Sequence, residues 1–238
     1  MTTDGRPLRS VPIPVPPAAS DGTHWLYFGE FTSSMPPGVI TSSMQIGRTS
    51  STRIMRTALD GSQREEAKFD APYGWQSLQC GNGACLVVWP ANGELWGALL
   101  RADRPLASAR AQRFAAGKPV QYGVVAAARN TFLIVTGRTD GSVRAAIVSA
   151  KTGAVEREAT VAVFPRGNPW SAHAGGGADG FEVVFEGSPM EAYRVGLDGS
   201  VRALGPIGDG SPIGVVRNDG QGYVFYQRRG DVFATITE

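Results

Sequence analysis

The sequence predicts an all-β fold, a single β-propeller of five blades in which each blade is a four-stranded antiparallel sheet. The first observation behind this prediction is a repeated unit of an apolar strand, a turn and a second strand, clearest in Cys85–Pro90, Asn92-Gly93 and Leu95–Leu100. The second is a set of prolines, at positions 72, 119, 169 and 212, that lie 47, 50 and 43 positions apart. Four strands in roughly 45 residues is the period of a propeller blade.

The apolar strand returns along the whole chain, in Trp25–Phe28, Phe132–Thr136, Phe181–Phe185 and Tyr223–Tyr226. Turns such as Asp198-Gly199 separate the later strands of each repeat, and Asp-Gly turns connect adjacent antiparallel strands. The predicted blades cover approximately 18–72, 73–119, 120–169, 170–212, and 213–238 together with 1–17. All five belong to one domain spanning 1–238.

The two ends of the chain complement each other in this scheme. The last repeat stops after Asp231–Ile236, its third strand, and the chain begins with a turn and a strand, Asp4–Ile13, that have no preceding three strands. We therefore expect the N-terminal strand to complete the C-terminal blade, which leaves no open sheet edge in the ring. A two-sheet β-sandwich would not explain why the missing piece of the last repeat lies at the start.

Two segments depart from the repeat. The insertion from Phe31 to Ser51 is rich in Ser, Thr, Gly and Pro, which favour turns and exposed loops. It is either a tolerated surface loop or a loop that contacts a ligand. The second segment, Leu106–Ala116, is rich in Ala and Arg and has helical propensity. The period of the repeat predicts a loop and a fourth strand there instead.

Composition limits the classes of function. The chain has 31 Gly and 16 Pro, a density typical of many short strands joined by turns. Its 23 basic and 21 acidic residues leave a net charge of +2, without the clustered basic stripe that nucleic-acid binding requires. Since no run of eighteen apolar residues exists, we expect no membrane span.

The two cysteines, Cys80 and Cys85, flank the four residues Gly81–Ala84 in the predicted hairpin between the first and second strands of the second blade. Directly opposed residues of such a hairpin are within disulfide range. A zinc site would need further ligands, and a thioredoxin-type redox site needs two intervening residues. We predict a structural disulfide, which implies an oxidising compartment.

The segment Cys80–Leu100, with its Cys-flanked Gly/Asn turn and Leu86-Val87-Val88-Trp89 strand, resembles the repeat of bacterial surface and secreted propellers. The resemblance implies an exported, often lipoprotein-attached module of a proteobacterial or myxobacterial type of organism. It implies no catalytic residues. A more distant similarity, in blade number and period, is to five-bladed propeller lectins, which bind sugars between blades.

Enzymatic chemistry finds little support in the sequence. Glycoside hydrolysis needs two carboxylates that converge on the central funnel. The predicted first strands, which line the funnel, contain no Asp or Glu: Tyr73–Gln79, Val120–Ala126, Trp170–Ala174 and Ile213–Arg217. Gly-x-Ser-x-Gly is absent, and Gly175–Gly180 lacks the Lys-Ser/Thr pair of a phosphate loop, so we predict a hairpin loop there. We expect no catalytic residues, no cofactor and no metal site.

A binding surface is the remaining possibility. Five side chains follow the prolines that start the blades, near one rim of the predicted channel: Tyr73, Trp75, Tyr122, Trp170 and His173. Aromatic faces there could stack on sugars or receive a peptide side chain, whereas the alternative is that Trp75 and Trp170 pack between blades. We predict a monomeric, extracytoplasmic recognition or scaffold module without enzymatic activity. Its partner would be a protein of the cell envelope or, alternatively, a glycan, and a glycoside hydrolase-like enzyme is the less favoured alternative.

Overall fold

The structure is a computed structural model. The structure describes residues 19–20, 24–31, 51–58, 64–70, 77–115, 117, 119–164, 171–218 and 220–237. Every regular element in these ranges is a β-strand except one 3-10 turn, Leu106–Ser108. Among them no helix is long and apolar enough to cross a lipid bilayer.

The first three sheets are four-stranded antiparallel meanders whose strands follow chain order. Sheet one contains β1 (Ala19–Ser20), β2 (His24–Phe31), β3 (Ser51–Ala58) and β4 (Arg64–Asp70). Sheet two contains β5 (Ser77–Gly81), β6 (Ala84–Ala91), β7 (Glu94–Arg101) and β8 (Ala111–Ala115). Sheet three contains β9 (Val120–Ala128), β10 (Thr131–Arg138), β11 (Ser142–Ser149) and β12 (Val155–Val163).

Turn chemistry explains the tight hairpins of sheet two. Asn82-Gly83 and Asn92-Gly93 connect its first three strands, and all four residues have positive φ, between 50° and 75°. Two-residue turns of this kind match the twist of the flanking strands, and Asn-Gly is the dipeptide that best tolerates them. The first of these turns places Cys80 directly opposite Cys85, and the two sulfur atoms form a disulfide, as the sequence predicts.

The sheet beyond residue 171 is continuous across the boundary predicted between the fourth and fifth blades. Its strands form one six-stranded sheet, in order β13 (Ala172–Gly177), β14 (Gly180–Phe185), β15 (Gly187–Gly196), β16 (Val201–Asn218), β17 (Gln221–Arg228) and β18 (Asp231–Thr237). The long β16 pairs with β15 up to Gly210 and with β17 from Ser211 onwards. Within this strand Gly205 and Gly208 have φ of 91° and 121°, values that glycine adopts more readily than other residues.

The sheets pack face to face through apolar side chains. Sheets one and two share Ile54, Phe69, Trp89 and Leu100, and sheets two and three share Leu86, Leu95, Val125 and Phe132. Sheet three packs against β14 through Leu133, Ile147, Phe181 and Phe185. The rings of Phe69 and Trp89 lie 5.3 Å apart between sheets one and two. Burying one large apolar side chain stabilises a folded protein by roughly 1.5–3 kcal/mol. The contacts between the sheets therefore supply the hydrophobic core.

Three segments that the sequence marks as irregular can be compared with the structure. The 3-10 turn at Leu106–Ser108 followed by β8 confirms a loop and fourth strand in place of a helix. Phe31 pairs with Ser51, so the insertion connects β2 and β3 as predicted, although residues 32–50 lie outside the described residues. The expected hairpin loop at Gly175–Gly180 is shorter than predicted, because its first three glycines belong to β13 and only Ala178-Asp179 form the turn.

The N-terminal strand predicted at Asp4–Ile13 also lies outside the described residues.

Candidate functional site in the central channel

The first strands of successive sheets lie side by side and line one cavity, at the place where the sequence predicts the central channel. These inner strands are β5, β9, β13 and the 211–218 part of β16. The backbone N–H of Val125 in β9 donates to Ser77 Oγ in β5 at 3.0 Å. Gly175 and Gly176 of β13 allow the closest approaches, since a Cβ there would lie 2.4 Å from the carbonyl oxygen of Val215 and 1.9 Å from that of Ala127. Glycine is therefore required where β13 passes between its neighbours.

A cavity of about 360 Å³ opens between the inner strands. Its volume is within the range of small-molecule sites. The lining combines aliphatic side chains with neutral polar groups, including Ser77, Gln79, Ser171, His173 and Val215. No Asp, Glu, Lys or Arg is among the residues that line it in the described part of the chain. The cavity is thus suited to a neutral group rather than to an ion.

Tyr122 lies at the wall of this cavity but packs away from it. Its ring covers Gly137 of β10, where a Cβ would lie 2.2 Å from the tyrosine ring. It belongs to the apolar cluster between sheet three and β14, and only 5% of the residue is exposed. Its hydroxyl is buried without a hydrogen-bond partner among the described residues, and burial raises its pKa. Tyr122 therefore has little exposed ring surface on which a ligand could stack.

His173 is half-buried in β13, opposite Val184. Burial lowers the pKa of its imidazole, while the nearby charge of Glu186 acts in the opposite direction. A neutral imidazole can donate from one ring nitrogen and accept at the other. His173 can therefore both donate and accept a hydrogen bond at the wall of the cavity.

Glu186 is a residue that the sequence does not single out. Its carboxylate accepts hydrogen bonds from the hydroxyls of Ser171 and Ser211, each at 2.8 Å. Its backbone N–H donates to the carbonyl oxygen of Ser171 at 3.1 Å. Glu186 thus joins the start of β13 to the point where β16 changes partners. No sequence signal marks it, because it follows an apolar strand and its partners lie 15 and 25 residues away.

The predicted rim residues have different outcomes. Tyr122 and His173 come together at one cavity. Tyr73, Trp75 and Trp170 lie outside the described residues, so their place at the rim stays a prediction. Within the described residues, no group of three or more His, Cys, Asp or Glu side chains is placed to hold a metal ion.

Neither a protein-family model nor a curated protein sequence matches the chain. Solved structures do match. The β-propeller domain of the Trilobed protease from Pyrococcus furiosus is 11% identical, with a TM-score of 0.51 over 93% of this chain and 79% of that chain. The fold is that of a β-propeller. This likeness confirms the predicted class, and at this level of identity it shows the fold alone.

Two larger proteins show the same kind of similarity. Pyrococcus horikoshii acylaminoacyl peptidase is 10% identical, with a TM-score of 0.50 over 92% of this chain and 43% of that chain. TolB from Acinetobacter baumannii is 14% identical, with a TM-score of 0.49 over 78% of this chain and 46% of that chain. The propeller thus spans less than half the length of these two chains.

Proposed function

We propose that this propeller is a non-enzymatic recognition or scaffold module of the cell envelope, and that it binds a protein partner at the mouth of its central channel. The observation that carries the proposal is the uncharged cavity between the inner strands. Its aliphatic walls, with Gln79, Ser77 and His173 as neutral hydrogen-bonding groups, suit an uncharged side chain inserted from a partner. No cofactor or metal takes part.

Two features support the absence of catalysis. A glycosidase needs a pair of carboxylates on either side of the bond it cleaves. The described lining of the cavity contributes none, and Glu186 is already bound by two serine hydroxyls. His173 lies in the wall with a lowered pKa, but no serine or cysteine is hydrogen-bonded to it among the described residues.

The disulfide supports a location outside the cytoplasm. Cys80 and Cys85 are the only cysteines of the chain, and they are bonded to each other. Disulfides form and persist in oxidising compartments and are rare in the cytosol. The bond therefore fits a domain that lies in the periplasm, at the cell surface or in the secreted fraction. In isolation we expect this domain to be monomeric.

The ring is proposed to have five blades closed by the N-terminal strand. The 211–218 part of β16, β17 and β18 supply three strands where the first three sheets each have four, and β18 pairs with β17 alone among the described strands. One face of these strands exposes Val216, Phe225 and Ile236 at 53%, 39% and 55%. An unpaired edge and an apolar face of this kind invite association unless they are covered. We propose that the segment 1–17 pairs with the free edge of β18. Sheet one is proposed to cover the exposed apolar face.

Hydrogen–deuterium exchange tests this closure against an open ring, the topology of the Pyrococcus furiosus domain. The amides of β18 are compared between the full chain and a chain that lacks residues 1–17. Closure predicts faster exchange in β18 after the deletion, while β10, which pairs with β9 and β11, stays protected. Equal exchange of β18 in both chains would show an open ring.

Binding at the channel is tested with two matched glutamines. Gln79 lines the cavity, whereas Gln121 is an exposed residue of another inner strand that does not. The immobilised oxidised domain is used to capture proteins from an envelope extract. A specific partner is retained by the wild type and by Gln121→Ala but is lost from the Gln79→Ala/His173→Ala variant. Equal retention by all three would exclude the channel as the binding site.

A glycan is the second candidate ligand. The observation that favours it is the neutral polar character of the cavity, because amide, hydroxyl and imidazole groups also bind sugar hydroxyls. A glycan array with the same variants, and with Trp75→Ala and Trp170→Ala, separates the two. Saturable binding that the channel variants lose would identify a lectin. If no glycan binds the folded wild type, the lectin alternative is wrong.

A further inference from the structure

A second cleft, separate from the channel, lies between sheets two and three and is strongly basic. Its volume is about 270 Å³. Four of its twelve lining residues are cationic, namely Arg101, Arg104, Arg110 and Lys151. The whole chain has only 23 Lys and Arg in 238 residues, so the cleft concentrates positive charge on a protein that is nearly neutral.

One wall of this cleft is fixed by a buried arginine from sheet one. Arg56, only 3% exposed, donates to the carbonyl oxygens of Arg101 and Arg104, each at 2.7 Å. Glu65 pairs with the same guanidinium at 2.8 Å and accepts the backbone N–H of Leu106 at 2.6 Å. The 101–106 segment is therefore held in place before any ligand arrives, which lowers the entropic cost of binding.

The opposite wall belongs to the turn between β11 and β12. The Arg101 guanidinium crosses to it and donates to the carbonyl oxygen of Lys151 at 2.8 Å. Gln112 of β8 donates to the carbonyl oxygen of Gly153 at 2.7 Å. These bonds connect sheets two and three beside the cleft, so its two walls form one preformed surface.

Three of the four cationic side chains form no ion pair with a described residue, although the charge of Arg104 helps to lower the pKa of Asp103. Arg101 is bound by Asp103 through two hydrogen bonds of 2.9 Å, which lower the pKa of that carboxyl. Within the described residues, Arg104, Arg110 and Lys151 form no ion pair. Among the described residues, Arg110 donates to the carbonyl oxygens of Ala107 and Ala109. Like charges held in one cleft repel one another, and an anionic ligand relieves that repulsion.

We propose that this cleft binds an acidic peptide segment of a protein partner. Arg104 and Arg110 stand on the loop of sheet two and Lys151 on the turn of sheet three, so the ligand must present carboxylates to both walls. Arginine binds carboxylates through two parallel hydrogen bonds, and lysine adds a compact point charge. The site is independent of the channel, and its test does not rely on the channel's proposed role.

Fluorescence anisotropy with a labelled hexaglutamate peptide tests the proposal on the full chain, with hexaglutamine as the uncharged comparison. The cleft variant carries Arg104→Gln, Arg110→Gln and Lys151→Gln. The control variant removes the same charge from other positions that are at least partly exposed, with Arg113→Gln, Arg144→Gln and Arg157→Gln. All six side chains are at least partly exposed, so both variants are expected to fold, and their urea unfolding curves verify it.

The wild type and the control variant are expected to bind hexaglutamate but not hexaglutamine, and binding weakens as salt screens the charges. The cleft variant is expected to lose roughly tenfold or more in affinity. Equal weakening in both variants would show a non-specific effect of net charge and overturn the site. Binding of inorganic phosphate but not of hexaglutamate at these residues would overturn the peptide ligand.

Discussion

Arg217 of β16 and Glu182 of β14 form an ion pair closed off from solvent: Nη1 and Oε2 are 3.5 Å apart, and the two side chains are 1% and 0% exposed. The hydroxyl of Thr237 in β18 also donates to Glu182. The same guanidinium donates to both carboxylate oxygens of Asp179, at 2.9 and 2.5 Å. These contacts attach the last strands of the chain to β14.

Replacing Arg217 by methionine should be among the most destabilising changes in this propeller. It removes the nearer of the two arginines that pair with the buried Glu182 carboxylate, the other being Arg194 at 3.9 Å, and breaking a buried pair costs about 3–5 kcal/mol. Urea unfolding at neutral pH measures the loss. Arg228→Met, at an exposed position of β17, is the matched control and should change the free energy of unfolding by less than about 0.5 kcal/mol. Similar losses in the two variants would contradict the structural role of the pair.

The pH dependence of stability should carry the signature of Glu182. Burial raises the pKa of its carboxyl above the ordinary value of 4.5, against the opposing effects of Thr237, Arg194 and Arg217. The folded state therefore binds this proton more tightly than the unfolded state. The contribution to stability is present below the unfolded pKa and declines as pH rises through the folded pKa.

Glu182→Gln should remove that decline, as measured by urea unfolding from acidic to neutral pH. Asp179→Asn is the comparison with the opposite sign. The hydrogen bonds from Arg217 lower the pKa of Asp179, so its contribution is present above its unfolded pKa and is lost as pH falls. An unchanged pH profile in Glu182→Gln would contradict the raised pKa.

Gly176→Ala should disrupt the packing of the inner strands. The Cβ would lie 1.9 Å from the backbone carbonyl oxygen of Ala127, which cannot move without shifting β9. Overpacking of this kind costs typically about 1–3 kcal/mol. Gly214→Ala is the control, since a Cβ there meets no atom within 4 Å. Thermal unfolding of the two variants compares them, and equal midpoints would show that β13 and β9 are not in close contact.

Reduction of the disulfide should lower stability modestly. The bond between Cys80 and Cys85 closes a short loop, for which the chain-entropy estimate is about 2 kcal/mol. The Cys80→Ser/Cys85→Ser variant and the wild type in a reducing agent should both unfold at lower denaturant, and by similar amounts. A reducing agent that shifts the unfolding midpoint of the double variant as well would show that the effect does not come from this bond.

Some features of this fold are encoded by neighbouring residues and others are not. Asn82-Gly83 and the opposed cysteines identify a hairpin because turn preference and strand pairing are local properties. Gly205 and Gly208 carry no such local signal: glycine is common in turns, but here both lie inside a continuous strand. Which of the two occurs depends on the partners that the strand meets, and those are not written in the neighbouring residues.

The functional candidates divide in the same way. His173 is detectable because a histidine after a predicted blade start is conspicuous in a chain with only two. The sequence does not reveal Gln79, Glu186 or the cationic cleft as candidates. Each belongs to a site that forms only when residues from other strands come next to it. Lys151 joins Arg104 and Arg110 only because sheets two and three pack together.

The sequence by itself determined the all-β class, the antiparallel meanders and the disulfide. These follow from the alternation of side chains along a strand and from the φ preferences of Asn and Gly, which act over a few residues. Only the tertiary structure decided that β16 joins two predicted blades and that Glu182 meets Arg217 and Thr237. Those contacts join residues 35 and 55 positions apart, and they form because burial forces each charged group to find a partner across the packed strands.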